Sequence, residues 1–368
     1  QPGIPGAAFA RSGYHRAGRN YNACNRWRQP RCASTRWNIQ MSHTSTQVTV
    51  NYFGKVPSRD DFVKAGSSLS LLTSLDNWVA RAMDNMTTDA RWKNIYDEAQ
   101  PFSFAFLGPR SKLAIGGHFV PSRDSAQRRF PFVTASALEV GDPAQFAVRS
   151  PLVFSRLWHR MGQLAQAAIA STNATPELNA IPMTPVLLEL QPNAYDANMA
   201  DFLELQTVSS LESQLRAGGF TGNCRQLVLG LGLLLQPVMA SGSARLDKSL
   251  CLPLPQDPMY QYLTAAFWMS LVNPFLQRAD FELSLYITQI HQRPTLVVGF
   301  NGASPTTLEA VLNPQASDDH FVSFDDANWV EESVTSDYGV AKLSSYLEQS
   351  RFSLAAAKKS FNEVFQGA

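Results

Sequence analysis

Between Phe102 and Leu138 three strand-like segments follow one another, and this run narrows the possible folds more than any other feature. Phe102 to Leu107 and Leu113 to Val120 are apolar, β-rich stretches parted by a Gly108-Pro109 turn, and Phe130 to Leu138 follows as a third. Helical periodicity frames them. From Ser67 to Met86 the positions Leu71, Leu75, Trp78, Val79, Ala82 and Met83 share one face, with Ser67 or Ser68 as cap. A helix is expected over Pro151 to Ser171, with the proline in its first turn. Upstream, Gln47 to Phe53 alternates Val48, Val50 and Tyr52 with polar residues, the period of a half-buried strand.

Downstream, Leu203 to Leu215 reads as a helix and Gln226 to Leu235 as either a buried helix or a strand. Met259 to Val272 is helical, and Phe281 to Ile290 with Thr295 to Phe300 forms a hairpin about a turn at His291 to Pro294. Ser304 to Leu312 is a short capped helix, and Tyr338 to Phe365 is one long helix or two broken ones. Alternating strands and helices with hairpin-like turns give an α+β fold, a mixed or largely antiparallel sheet flanked by helices.

Prolines divide the chain. Pro176, Pro182, Pro185 and Pro192 punctuate residues 172–200, and Pro253, Pro255 and Pro258 precede the Met259 helix. The expected organisation is a region at 47–171, a proline-punctuated insertion or linker at 172–258, and a C-terminal αββα region at 259–368. The last either shares one sheet with the first or forms a second lobe. With 45% hydrophobic and 17% charged residues, the chain can bury enough apolar surface to offset the entropy of ordering.

Charge is unevenly spread. Residues 1–41 hold Arg11, Arg16, Arg19, Arg26, Arg28, Arg31 and Arg36 and no acid. Without these seven, 24 basic residues face 30 acidic ones, so the body is mildly acidic and does not suit nucleic-acid binding. Segment 1–41 has no apolar signal core and no periodicity, and is expected to be disordered or non-native, with Met41 as the natural start. A transit peptide and a basic tail for an acidic partner are the other readings. The longest apolar run, Leu227 to Met239, contains Gln236 and Pro237 and is too short for a membrane span of about twenty residues. Cys24, Cys32, Cys224 and Cys251 lack zinc-ligand spacing and fit a reducing compartment.

Signatures of catalysis are missing. Gly230 and Gly232 lack the third glycine of a dinucleotide loop, and no Walker loop exists. His118, His159 and His291 stand far apart, and Ser241-Gly242-Ser243 is out of nucleophile-elbow register. In a strand the adjacent carboxylates Asp60-Asp61 and Asp325-Asp326 point to opposite faces, which suits loop solvation or capping better than a metal. No cofactor or metal is expected. An enzyme reading would rest on Asp61, Asp124 and His118 as a hydrolase-like set.

Two loops carry polar groups that local structure does not explain. One runs through Gly54, Lys55, Pro57, Ser58, Arg59, Asp60, Asp61 and Phe62; the other through Pro121, Ser122, Arg123, Asp124, Arg128, Arg129, Phe130 and Pro131. Each joins Pro-Ser to a nearby Arg and Asp and ends on an aromatic. Either the loops brace one another through Arg–Asp contacts and serine caps, or they present a charged docking surface on a rigid base.

These motifs carry a family resemblance. Tyr52 to Val63 is similar to the TagF signature, an aromatic followed by Gly-Lys-Leu-Pro-Ser-Arg-Gly-Asp-Phe-Val. Pro121 to Pro131 resembles the same family's later Pro-Ser-x-Asp and Gly-Arg-x-Phe-Pro. Trp78, the Ala266-Phe267-Trp268 run and the hairpin through Val298 extend the likeness, which covers roughly Val48 to Leu312. Asp60 and Gln127 stand where the family has glycine. If those positions need positive φ, Asp tolerates it, while Gln costs about 1 kcal/mol or more.

The resemblance implies a cytoplasmic accessory repressor of type VI secretion that acts after translation. In some members it binds a forkhead-associated scaffold protein of the secretion system. Some relatives are fused to a metal-dependent phosphatase, for which no Asp-Gly metal motif is found here. A structural accessory subunit of the secretion machine is the remaining reading.

Overall fold

The computed structural model describes residues 45–108, 110–191, 193–241, 246–276 and 281–367. Segment 1–41 with Cys24 and Cys32, Pro109 of the expected turn, Pro192, Gly242 and Ser243 lie outside the described residues.

Where one strand was expected over Gln47 to Phe53 there are two, β1 (Ser45–Thr49) and β2 (Asn51–Gly54), parted at the buried Val50. Asn51 makes the break. Its side-chain amide donates to the Ala135 carbonyl at 3.1 Å, and its Oδ1 accepts from the Ser67 N–H at 2.8 Å. β3 (Val63–Ala65) leads into α1 (Leu69–Met86), which Ser68 caps by accepting from the Leu71 N–H. The short α2 (Trp92–Glu98) precedes the expected trio β4 (Phe102–Leu107), β5 (Leu113–Val120) and β6 (Phe132–Glu139).

Helix α3 (Pro143–Ala170) starts two turns before the expected Pro151, capped by Asp142 with Pro143 in its first turn. Pro151 is therefore interior, where it has no N–H for the Ala147 carbonyl. The buried Ser150 hydroxyl donates to that carbonyl at 2.9 Å and takes the place of the missing bond.

Residues 172–258 carry α4 (Thr175–Met183), β7 (Pro185–Glu189), α5 (Asp196–Leu205), α6 (Val208–Ala217), α7 (Cys224–Ser241) and β8 (Ser249–Pro253). The expected single helix over Leu203 to Leu215 is broken because Thr207 and Ser210 form a reciprocal capping box. The apolar run at Leu227 is the helix α7, and among the described residues no helix is long and apolar enough to cross a membrane. Then follow α8 (Pro258–Leu276), β9 (Leu283–Ile290), β10 (Arg293–Gly299), α9 (Pro305–Leu312), α10 (Pro314–His320), β11 (Phe321–Val322), α11 (Val330–Ser336), α12 (Tyr338–Leu347) and α13 (Leu354–Phe365). The β9–β10 turn uses only His291 and Gln292, both at positive φ, so Pro294 falls inside β10.

Among the described residues nine strands form one sheet in the order β11-β8-β10-β9-β4-β5-β6-β2-β3, antiparallel throughout except for β11–β8. The fold is α+β with a mixed, largely antiparallel sheet. β1 leaves this sheet to pair with β7. Segments 47–171, 172–258 and 259–368 all supply strands to the large sheet.

Helices cover both faces, which is why the central strands read as unbroken apolar runs. Phe53, Phe104, Phe119, Val133 and Tyr286 face Trp78 of α1 and Leu308 of α9. Ala105, Val120, Phe132, Leu285 and Val298 face the helices that include Phe154 of α3, Leu231 of α7 and Phe267 of α8. Three indoles tie the layers, each donating to a backbone carbonyl: Trp78 to Ser304 (3.2 Å), Trp158 to Phe104 (2.9 Å) and Trp268 to Pro253 (2.9 Å).

Candidate functional site

The two polar loops leave the same end of neighbouring strands: Gly54 ends β2, Val120 ends β5, and Phe132 begins β6 between them. Gly54 allows the approach. Its φ is 129°, and a Cβ there would lie 1.9 Å from the Pro131 carbonyl oxygen. The Lys55 N–H points to that same oxygen at 3.4 Å.

Asp124 is the centre of the pair. It is buried and accepts from Lys55 Nζ at 2.9 Å, from Arg128 Nε at 2.7 Å and from the Arg128 N–H at 2.8 Å. Burial alone would raise its pKa; the lysine and the two Arg128 donors outweigh that and hold the carboxyl down to about 2. The turn that carries Asp124 closes with the Gln127 N–H donating to the Asp124 carbonyl at 2.9 Å. Gln127, at the position where the resembled signature carries glycine, sits at φ 64°, whereas Asp60 is not at positive φ. Only the second departure therefore strains the backbone.

Further contacts knit the loops together and anchor them. Arg128 Nη2 donates to the Asp60 carbonyl, and the Ser125 hydroxyl donates to the Asp60 carboxylate. The Ser125 N–H donates to the Arg59 carbonyl at 2.9 Å. Arg59 itself reaches the Thr175 hydroxyl, and Ser58 Oγ accepts from the Ala174 N–H at 3.3 Å, which fastens the first loop to α4. Arg129 forks onto Asp97 of α2 through Nε (2.8 Å) and Nη2 (2.5 Å). Tyr96 brackets Ser122, its hydroxyl donating to the carbonyl and accepting from the N–H. Phe62 meets Phe130 edge-on at 5.4 Å, closing the two loops over one another, and Pro57 and Pro121 frame them.

Most of the motif residues therefore touch one another or the scaffold. Asp61 and Arg123 are different: both are exposed, and among the described residues neither side chain has a hydrogen-bond or ion-pair partner. Motif reading could reach Arg123, which lies inside the second motif. It had no means of finding Asp97, Tyr96 or Thr175, which are brought in by tertiary structure.

The set Asp61, Asp124 and His118 is not assembled. His118 lies on β5 with Nδ1 3.0 Å from Ser103 Oγ, and its Nε2 faces Gly162 of α3. Burial pushes its imidazole down to about 4, so it is neutral at pH 7. Asp124 is occupied by Lys55 and Arg128, and Asp61 bonds to neither. Among the described residues no group of three His, Cys, Asp or Glu side chains could hold a metal. Asp325 is not a solvated or capping carboxylate alone: it accepts from Arg293 at 2.7 Å and from the Thr221 hydroxyl at 2.9 Å.

Residues 51–181 match the model of the TagF N-terminal domain, type VI secretion system-associated, and both loops lie inside that span. No curated protein matches the chain. Among solved structures, the crystal structure of PA0076 from Pseudomonas aeruginosa PAO1 is similar at 21% identity and a TM-score of 0.31. The match covers 38% of this chain and 65% of that one, a little under two thirds of its length.

Proposed function

We propose that this chain, which carries a type VI secretion-associated TagF N-terminal domain, is a non-catalytic repressor that acts after translation by binding a cytoplasmic component of the secretion system. A forkhead-associated scaffold protein is the partner that the family resemblance favours. The observation behind this reading is the division of labour in the loop pair. Lys55, Asp124, Arg128 and Arg129 are committed to holding it together, while the exposed side chains of Asp61 and Arg123 make no hydrogen bond or ion pair among the described residues. A rigid base that presents uncommitted charges suits recognition of a folded partner, because little ordering entropy is lost on binding.

The test is capture of secretion components by the tagged chain from cells that carry the apparatus. Asp61→Ala with Arg123→Ala should leave the thermal midpoint unchanged and reduce capture about tenfold or more. Undiminished capture by a folded double variant would overturn the docking surface. Recovery of no soluble secretion component would overturn the repressor reading, and stoichiometric retention in assembled particles would replace it with a structural subunit.

A further inference from the structure

The turn between β9 and β10 is built from costly residues. A two-residue hairpin loop with both positions at positive φ favours glycine and asparagine, which enter that region with least strain. Here the pair is His291 (φ 50°) and Gln292 (φ 63°), two of the three non-glycine residues at positive φ among the described residues. Strain of this kind persists where a side chain is needed in that place. Both side chains are exposed, and both line one groove.

The groove, of ≈ 910 Å³, runs between α2, the β9–β10 hairpin and the corner from α9 to α10. Gln100, Gln256, Gln289, Gln292 and Gln315 line it, and all five are exposed. Gln315 Oε1 accepts from Arg91 Nη2 at 2.7 Å, and Gln100 donates to the Glu98 carbonyl at 3.1 Å. The side chains of Gln256, Gln289 and Gln292 have no hydrogen-bond partner among the described residues. Glu98 is the one carboxylate among the described residues of the lining, which include no lysine or arginine. Beside the groove, with His291 and Pro294 common to both, lies a cavity of ≈ 350 Å³ whose walls include Leu215, Phe220, Leu254 and Phe324. Arg293 and Asp325, also in its walls, pair with one another at 2.7 Å and so need no counter-ion from a ligand. Asp318 there is 79% exposed and is served by water.

We propose that groove and cavity together bind a short extended peptide segment of a partner protein, its backbone on the glutamine amides and one large apolar side chain in the cavity. A side-chain amide both donates and accepts, as each peptide unit does, so a row of them matches a main chain without asking for charge. A phosphate or a nucleic acid finds no cation in the groove. A sugar would suit the amides equally but has no large apolar group to fill the cavity. Main-chain bonding with a pocket for one side chain is a general mode of peptide recognition. The inference goes beyond the repressor reading and does not rest on it.

The experiment is calorimetric titration of the full chain with capped, uncharged peptides, acetyl-Ser-Gly-Ser-X-Ser-Gly-Ser-amide, with Phe, Trp, Leu or Ala at X. At least one of the Phe, Trp and Leu peptides should bind, and the Ala peptide should bind about tenfold or more weakly. Replacing the amide on either side of X by an ester, which removes its N–H, should weaken binding too. The double variant His291→Asn with Gln292→Gly should raise the thermal midpoint by relieving the turn, yet weaken binding about tenfold or more. No heat with any of the peptides would overturn the proposal, and so would undiminished binding to the double variant. A lower thermal midpoint in that variant would deny the strain on which the inference is built. Ester analogues that bind as well as their parents would deny main-chain recognition, and maltotriose binding in place of every peptide would show a sugar site instead.

Discussion

At the loop pair the ammonium of Lys55 lies 2.9 Å from a buried carboxylate, while on α13 the ammonium of Lys358 has no acceptor among the described residues. Both side chains are drawn out of bulk water. Around Lys55 the burial is compensated: Asp124 takes three donors, and the turn that holds it is closed by backbone bonds. Around Lys358 no such compensation is found among the described residues, and burial pulls its pKa below the usual lysine value. A buried charge that is fully paired is part of the scaffold, and its loss is felt as instability. A half-buried charge without a partner is no part of that scaffold, and its loss costs little stability.

The sharpest way to break this comparison is to remove the two charges separately. Asp124→Ala should give the largest fall in the denaturant midpoint, since it strands Lys55 and leaves the Arg128 Nε and N–H without their acceptor. Lys358→Met should stay within about 0.5 kcal/mol of the parent. Equal effects in urea unfolding would mean that the two lysines play the same part.

The pH dependence of stability separates the scaffold's own titrating groups. His118 takes up its proton near 6.5 when unfolded and near 4 when folded, so the unfolded chain binds more protons in between. Its contribution is complete above about 6.5 and is lost as pH falls toward 4, up to about 2–3 kcal/mol. His118→Gln should flatten the stability curve across that window. Asp124 acts lower down: its contribution is complete above 3.8 and disappears as pH falls toward about 2. A parent protein with a flat curve from pH 6.5 to 4 would deny the buried, neutral state of His118. The smallest expected effect concerns the strained turn. Gln127→Gly should raise stability by about 0.5–1 kcal/mol, measured as a higher thermal midpoint with the brace intact.

Local chemistry made much of this molecule legible. The cap at Ser304, the hairpin from Leu283 to Gly299 and the helix behind Trp78 follow from spacing and turn residues that act within a few positions of themselves. The errors arose where distant contacts override local preference. Pro151 reads as a helix start, yet buried Ser150 repairs the helix across it. Val48 and Tyr52 share one alternating pattern but end in different sheets, because Asn51 binds both Ala135 and the Ser67 N–H. At the loop pair the participants were readable from their motifs. Their partners Asp97, Tyr96 and Thr175 were not, since nothing in a sequence says which helix a loop will meet.

The order of the large sheet has a consequence for how the protein is made. β4 pairs on one side with β5, its immediate successor, and on the other with β9, which begins at Leu283. On a ribosome adding about 5–20 residues per second, the strand that covers β4 emerges roughly 10–35 s after β4 itself. Until then the backbone edge of Phe102–Leu107 is an open template flanked by aromatic side chains. The nascent chain thus passes through a stage in which a strand buried along its whole length in the finished fold has one partner, and the tempo of synthesis governs how long that stage lasts.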